Sequence, residues 1–151
     1  MSERKIRLVI PSSLEHVALA GCAAGALARY AGLDEKESCQ IQLCVLEAAN
    51  NCIRHAYEGR ADGEVEILCL LAGDSLEVGV SDRGTPIPGG LRFRPLAFDP
   101  DDVASLPEGG MGLHIIRNVM DSVSYSSAGG RNTLTMTRRI SASADAAAKE
   151  R

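Results

Sequence analysis

Two helical patterns follow one another directly near the N-terminus, and this feature restricts the fold more than any other in the sequence. The first covers about residues 12–30, with Ser12 or Ser13 as its cap, and ends at Ala31-Gly32. The second begins with Asp34 as its N-cap and runs to about Tyr57. Because a parallel sheet alternates single helices with strands, two consecutive helices argue against a doubly wound fold.

The other periodic segments predict five strands and one short helix. Strands are expected at residues 5–10, at 64–71 and 76–81 around a Gly73-Asp74 turn, and at 123–126 and 133–139 around Gly129-Gly130. A short helix is expected at 112–120. The order β-α-α-β-β-loop-α-β-β predicts an α+β protein, a two-layer sandwich whose mixed, mostly antiparallel sheet carries its helices on one face. We expect a single domain over residues 1–140 and a disordered tail at 141–151.

Composition excludes two classes of partner. The net charge is −4 and aromatic residues make up 3%, so the clustered cations and stacking rings of a nucleic-acid surface are lacking and no direct nucleic-acid binding is expected. No apolar run approaches the roughly 20 residues that cross a membrane, and the N-terminus lacks an apolar signal region. The five cysteines include no CxxC pair, which indicates reduced, buried thiols and a cytoplasmic protein.

The second helix contains a polar face that is able to carry chemistry. Glu47, Asn51 and His55 are spaced by four residues and share one side of the helix. A carboxylate there can act as a general base, and an Asn oxygen can bind Mg²⁺. The alternative is a solvated helix face. Against it, the adjacent Asn50 and Asn51 lower helix propensity without structural gain, and such a local conflict often marks a site.

The segment SDRGTPIP, residues 81–88, follows an apolar strand and forms a second candidate element. Asp82 at the strand end can accept a hydrogen bond from an exocyclic amine such as that of adenine. Gly84 would let a flat ring approach the backbone. The alternative is an ordinary Asp-x-Gly turn.

A glycine run, PEGGMGL, immediately precedes the short third helix and forms the third element. Backbone N–H groups and the positive end of a helix dipole favour an anion at such a place. The run lacks the Gly-Lys-Ser/Thr of a Walker A loop, and Ile115 stands where a dinucleotide fingerprint would need its third glycine. The alternative is a flexible loop that enters a helix. The preceding loop, residues 83–110, is long enough to be functional or disordered.

In this order, the three segments resemble the motifs of the GHKL superfamily of ATP-binding domains, which share the Bergerat fold. From about residue 5 to 140, the chain is similar to the small bacterial anti-sigma regulatory serine/threonine kinases. The resemblance implies Glu47 as the catalytic base, Asn51 as the Mg²⁺ ligand and Asp82 under the adenine. It implies an ATP lid at about 85–109. In total, it implies cofactor contacts from Asn51, His55, Asp82, Gly84, Pro86, Gly110, Met111, Gly112, Leu113 and Thr133.

Two departures from the superfamily affect the expected lid. Pro86 stands where a second glycine is common, which implies a stiff hinge. The lid has no lysine, so Arg92 or Arg94 is the hypothetical cation for the γ-phosphate.

The resemblance implies a kinase that phosphorylates a STAS-type anti-anti-sigma protein and sequesters a sigma factor, with ATP and Mg²⁺ as cofactors. It also suggests a homodimer; the Ala-rich first helix either presents a face to a partner or packs wholly in the core. A non-catalytic ATP- or ADP-binding interaction module is the main alternative. A detached histidine-kinase catalytic domain is another, although no His lies in a suitable phospho-acceptor context.

Overall fold

The computed structural model describes residues 2–90 and 111–140, and within them the chain forms a two-layer α+β sandwich. The strands are β1 (Arg4–Pro11), β2 (Glu64–Ala72), β3 (Ser75–Asp82), β4 (Ser122–Ala128) and β5 (Arg131–Arg139). The helices are α1 (Leu14–Tyr30), α2 (Glu35–Asn51) and α3 (Met111–Val119). The predicted fold class is confirmed.

The five strands form one sheet in the order β1-β2-β3-β5-β4. Every strand pair among the described residues is antiparallel, so the sheet is more regular than the mixed sheet that the sequence allowed. Gly73 and the pair Gly129-Gly130 have positive φ angles, which the tight turns of the two hairpins require.

One face of the sheet packs on the helices and contains the core. Strand alternation places buried side chains on this face and half-buried or polar ones on the other. The apolar side of α2 completes the core, as its periodicity predicted. Residues that join this cluster include Ile41, Val45, Ala48, Val65, Ile67, Val78, Val80, Leu134 and Met136.

The helix ends follow local signals at most positions. Asp34 accepts a hydrogen bond from the Glu37 N–H at 2.8 Å, and the Glu37 carboxylate accepts from the Asp34 N–H at 3.0 Å, which makes a complete capping box. At the start of α1, Ser13 has the N-cap position, but its side chain makes no capping hydrogen bond. Ser12 instead donates to the Arg60 carbonyl at 2.5 Å and fixes the approach to β2.

Candidate functional site

A cavity of about 460 Å³ opens between α2, α3 and the ends of the central strands. This volume falls within the roughly 300–1,000 Å³ of typical small-molecule sites. Its wall is largely apolar, and Asp82 is the one carboxylate among the described residues that line it. Besides Asp82, the lining includes Ala48, Asn51, Cys52, His55, Val80, Pro86, Ile87, Leu113, Tyr125 and Leu134. The structure therefore brings residues from all three sequence segments to one cavity.

The polar face of the second helix lies at this cavity. Asn51 is half-buried and lines the wall, and the exposed His55 lies beside it. Glu47 lies one turn earlier, against the first turn of α3. A Cβ atom added to Gly112 would lie 2.6 Å from Glu47 Oε2, so the carboxylate packs directly on that glycine. Glu47 is thus close to the helix terminus at which an anion is favoured.

The helix changes its winding immediately after Asn51, which the sequence did not predict. Residues Cys52–Ala56 form a π-helical turn, in which Tyr57 N–H bonds to the Cys52 carbonyl at 3.0 Å. Such turns are rare in proteins, and those that occur often lie at functional sites. The two adjacent Asn residues therefore mark a real irregularity, and the predicted helix to Tyr57 is an α-helix only as far as Asn51.

The π-helical turn holds the segment that leaves β3. The Ala56 carbonyl accepts a hydrogen bond from the Thr85 N–H at 2.9 Å. Gly84 lies so close to this carbonyl that an added Cβ would be 2.2 Å from the Ala56 oxygen. Glycine at 84 is thus required for backbone packing, which the sequence did not predict, and its approach to a flat ring stays a prediction.

Asp82 is almost fully buried, with 8% of its surface exposed, at the inner end of the cavity. Its Oδ1 accepts hydrogen bonds from the Gly84 N–H at 3.0 Å and from Asn132 Nδ2 at 2.7 Å. These two donors stabilise a buried charge. Both bonds go to one oxygen, which leaves Oδ2 as the acceptor for a ligand.

The Cys52 thiol lies against the same carboxylate. Burial raises the pKa of Cys52 well above its usual value, and the charge and hydrogen bonding of Asp82 raise it further. The thiol is therefore a neutral, weak donor. A stronger donor on a ligand would displace it.

Thr133, an expected cofactor contact, lies on the opposite face of the sheet. Its hydroxyl is hydrogen-bonded to the Ser81 hydroxyl at 2.9 Å, on the side away from the cavity. The neighbouring Asn132 faces the cavity side and is directly paired with Asp82 in the ladder. Because side chains alternate along a strand, a shift of one residue moves a site residue to the wrong face.

Tyr125 is a second site residue that the sequence analysis missed. It lines the cavity from β4, and its hydroxyl accepts a hydrogen bond from the Ile87 N–H at 2.9 Å. An aromatic ring with a polar tip suits this position, where one end is apolar and the other meets the backbone. The chain has few aromatic residues and three Tyr in total, and this scarcity is the sequence signal that could have pointed to Tyr125 as a site residue.

The remaining predicted residues fall into two groups. Pro86 and Leu113 line the cavity, and Met111 is the first residue of α3. Gly110, Arg92 and Arg94 lie outside the described residues, as do most of the expected lid and the expected tail at 141–151.

Comparison with known proteins identifies the class to which this fold and cavity belong. The model of the histidine kinase-like ATPase domain matches residues 10–138. The chain belongs to this family, and the predicted membership of the GHKL superfamily is confirmed.

Relatives within this family include several with one name. The serine-protein kinase RsbW of Listeria monocytogenes (serovar 1/2a) is 36% identical over 123 residues, which cover 79% of this chain and 77% of the relative. The proteins of the same name from Bacillus pumilus and Bacillus cereus (strain AH187) are 31% and 32% identical, and cover 88% and 93% of this chain and 84% and 89% of the relatives.

A solved structure supports the fold. The crystal structure of the RsbU and RsbW domains of Rv1364c from Mycobacterium tuberculosis matches with a TM-score of 0.66 at 17% identity, over 93% of this chain. The chain spans 34% of the length of that solved chain, and at this identity the likeness concerns the fold. No helix in the described ranges 2–90 and 111–140 is long and apolar enough to cross a membrane.

Proposed function

We propose that this chain is an ATP-dependent protein serine/threonine kinase of the anti-sigma type. In this proposal it phosphorylates a STAS-domain anti-anti-sigma protein and sequesters a sigma factor. The observation that carries the proposal is the geometry of one cavity. A buried carboxylate, Asp82, lines this cavity, and Glu47 lies one helical turn before the lining residue Asn51, against the first turn of α3. The similarity to relatives named serine-protein kinase supports the same activity.

The apolar end of the cavity suits adenine. Asp82 Oδ2 accepts a hydrogen bond from the exocyclic 6-amino group, while Ala48, Val80 and Leu134 supply apolar surface to the ring. The shape and lining of this end are largely pre-formed, since a backbone N–H and a side-chain amide both donate to Asp82 Oδ1 and hold the carboxylate. A pre-formed site lowers the entropic cost of binding.

The other end suits the phosphates and the metal ion. The first turn of α3, at Gly112, presents backbone N–H groups and a positive dipole end. The half-buried Asn51 would hold Mg²⁺, which takes few protein ligands and would neutralise charge on the phosphates. The residues present therefore fit Mg-ATP.

Glu47 is the proposed general base. As the γ-phosphoryl group transfers, the hydroxyl oxygen of the substrate serine forms the new bond to phosphorus and ADP leaves. The hydroxyl proton passes to the Glu47 carboxylate. A purely binding module has no need of a carboxylate at this position, so Glu47 favours the kinase over the non-catalytic alternative.

Phosphorylation of the antagonist would control partner choice. The phosphate adds about two negative charges at the antagonist's surface. Repulsion and desolvation then release the phosphorylated antagonist, and the kinase becomes available to hold the sigma factor.

A homodimer is part of the proposal, with the outer face of α1 as its surface. This helix buries one face, including Val17 and Ala24, while Leu19 on the outer face is 66% exposed. Sedimentation of the wild type and of a Leu19→Glu variant tests this surface. A wild-type monomer, or a variant dimer of unchanged affinity, would contradict it.

The central experiment measures binding and transfer separately. Calorimetric titration of Mg-ATP and Mg-ADP compares the wild type with Asp82→Asn and Asn51→Ala. The Asp82→Asn variant loses a hydrogen bond to a charged group, so its affinity for ATP should fall by about 10- to 100-fold. The Asn51→Ala variant should lose the magnesium dependence of binding.

Transfer of labelled phosphate from ATP to a purified STAS-domain antagonist then tests Glu47. Removal of a general base by Glu47→Gln should slow transfer by about 10²- to 10⁴-fold, with ATP affinity retained. Glu77→Gln, on the exposed side of β3, is the matched control and should behave as the wild type. Equal transfer rates in both variants would overturn the role of Glu47 as the base, whereas the absence of transfer by the wild type would favour the non-catalytic module.

A further inference from the structure

Asn132 lies beneath the adenine end of the cavity and is buried, with 3% of its surface exposed. Its Nδ2 donates to Asp82 Oδ1 at 2.7 Å and to the Gly84 carbonyl at 2.9 Å. Its Oδ1 accepts a hydrogen bond from the Ser127 hydroxyl at 2.7 Å. One amide thus joins β5 to the carboxylate, to the segment after β3 and to the end of β4.

This network determines the orientation of the amide. A flipped amide would point its oxygen at the Asp82 carboxylate and at the Gly84 carbonyl, which both accept hydrogen bonds only. Nδ2 is therefore held toward Asp82, and the carboxylate receives a permanent donor.

A permanent donor on Oδ1 fixes the chemical role of the other oxygen. With Oδ1 bonded to Gly84 N–H and to Asn132, Oδ2 is the oxygen left to accept a hydrogen bond from a ligand in the cavity. A 6-aminopurine offers an N–H donor to this oxygen, whereas a 6-oxopurine offers a carbonyl, which repels it.

We propose that Asn132 is a specificity-determining positioning residue, which holds Asp82 as an acceptor and makes the cavity select 6-aminopurine over 6-oxopurine nucleotides. This inference rests on the proposed function, in which Asp82 receives adenine. Without the amide, Oδ1 keeps only the Gly84 N–H as a donor, so the carboxylate is held less firmly and Oδ2 is no longer fixed as the acceptor that faces the base.

The experiment compares the affinities for Mg-ATP and Mg-ITP, which differ in the purine at position 6 and at the N1 proton. Calorimetric titration gives the ratio of the two dissociation constants in the wild type, Asn132→Ala, Ser127→Ala and Thr133→Ala. The Thr133 variant is the matched control, because this side chain is next in the strand but lies on the opposite face. Thermal melting of each variant accompanies the titrations.

The wild type should prefer ATP by about 100-fold or more, because the carbonyl of the wrong base faces Asp82 Oδ2, which also only accepts hydrogen bonds. In Asn132→Ala the ratio should narrow to within about tenfold of unity, and in Ser127→Ala it should narrow by a few-fold, since the amide is then held at one end. Thr133→Ala should keep the wild-type ratio. If the role of Asn132 were structural alone, Asn132→Ala would weaken the binding of both nucleotides equally and leave the ratio of their dissociation constants unchanged.

The outcomes separate this inference from the proposed function. A wild type that binds both nucleotides equally overturns the role of Asp82 in adenine recognition, and the role of Asn132 with it. A wild type that discriminates, with the same ratio in Asn132→Ala, overturns the role of Asn132 alone. If Asn132→Ala does not fold, Ser127→Ala decides, because this exposed serine is not part of the core; an unchanged ratio in that variant overturns the inference.

Discussion

Substitution of Gly84 by alanine is the most direct test of how the cavity is built. The added Cβ would lie 2.2 Å from the Ala56 oxygen, 2.5 Å from its carbonyl carbon and 2.9 Å from its Cβ. All three atoms belong to Ala56, the last residue of the π-helical turn, so there is no flexible side chain that could move aside. The segment after β3 must therefore separate from the turn.

Two contributions determine the magnitude. Overpacking of this kind costs about 1–3 kcal/mol. Separation also breaks the Thr85 to Ala56 hydrogen bond and weakens the Gly84 to Asp82 bond, and each such bond contributes about 0.5–1.5 kcal/mol. Together they predict a loss of about 2–6 kcal/mol in the free energy of unfolding. At about 2–4 °C per kcal/mol for a chain of this size, the melting temperature should fall by about 10 °C.

Thermal melting by circular dichroism and calorimetric ATP titration measure the two consequences. The control is Gly79→Ala on the preceding strand β3, where the nearest atom to an added Cβ is Thr133 Cγ2 at 3.7 Å, an ordinary contact. This variant should be as stable as the wild type. ATP affinity should fall by about tenfold or more in Gly84→Ala alone, because Asp82 loses a donor. Equal melting temperatures and affinities in the two variants would refute the close-packing argument.

Three further predictions concern stability and the thiols. Asp34→Ala removes the capping box of α2 and should cost about 1 kcal/mol, seen as a melting temperature about 2–4 °C lower with unchanged ATP affinity; a larger affinity change would contradict a purely local role. Partial burial raises the pKa of Glu66, but the hydrogen bonds and charges of Arg7 and Arg131 outweigh it and hold the pKa below its usual value. This stabilisation is complete above the pKa of the unfolded carboxyl and is lost as the pH falls through the folded-state pKa. Urea unfolding between about pH 5 and pH 1 should therefore show that the free energy of unfolding falls less in Glu66→Gln than in the wild type. Equal decreases in the two proteins would contradict this. Burial raises the pKa of Cys44 to about 12 and that of Cys69 to about 11. A thiol reagent added to the folded protein at neutral pH should therefore label only the two exposed cysteines, Cys22 and Cys39, rapidly. Fast labelling of a third cysteine would contradict this.

Features with local causes could be predicted from the sequence. The Asp34 cap, the helix end before Gly32 and the turns at Gly73 and Gly129-Gly130 each depend on a few neighbouring residues. The strands were found by their alternation, and the consecutive helices gave the fold class. These signals do not depend on how the elements pack together.

Features set by distant contacts could not be predicted. Which of Asn132 and Thr133 faces the cavity depends on the pairing of β5 with β3, where Asn132 is opposite Asp82. The local sequence, with three polar residues before Leu134, fits either face. The π-helical turn after Asn51 is similar: its Ala56 carbonyl is bonded to Thr85, far along the chain, and no local pattern specifies that partner.

The hydrogen bonds of the segment after β3 hold the adenine end of the cavity more firmly than the proposed phosphate end is held. Backbone N–H groups in this segment bond successively to the Tyr57 hydroxyl, to Asp82, to the Ala56 carbonyl and to the Tyr125 hydroxyl. The adenine end is therefore held by three elements of the sandwich, which are the π-helical turn with its C-cap Tyr57, β3 and β4, and it is pre-formed, which favours tight and selective binding of the base. At the proposed phosphate end, the carboxylate of Glu47 lies at the end of a flexible side chain and packs on Gly112. Changes at the adenine end should accordingly alter the affinities for ATP and ADP together, whereas changes at Glu47 should alter the rate of phosphoryl transfer with little effect on either affinity.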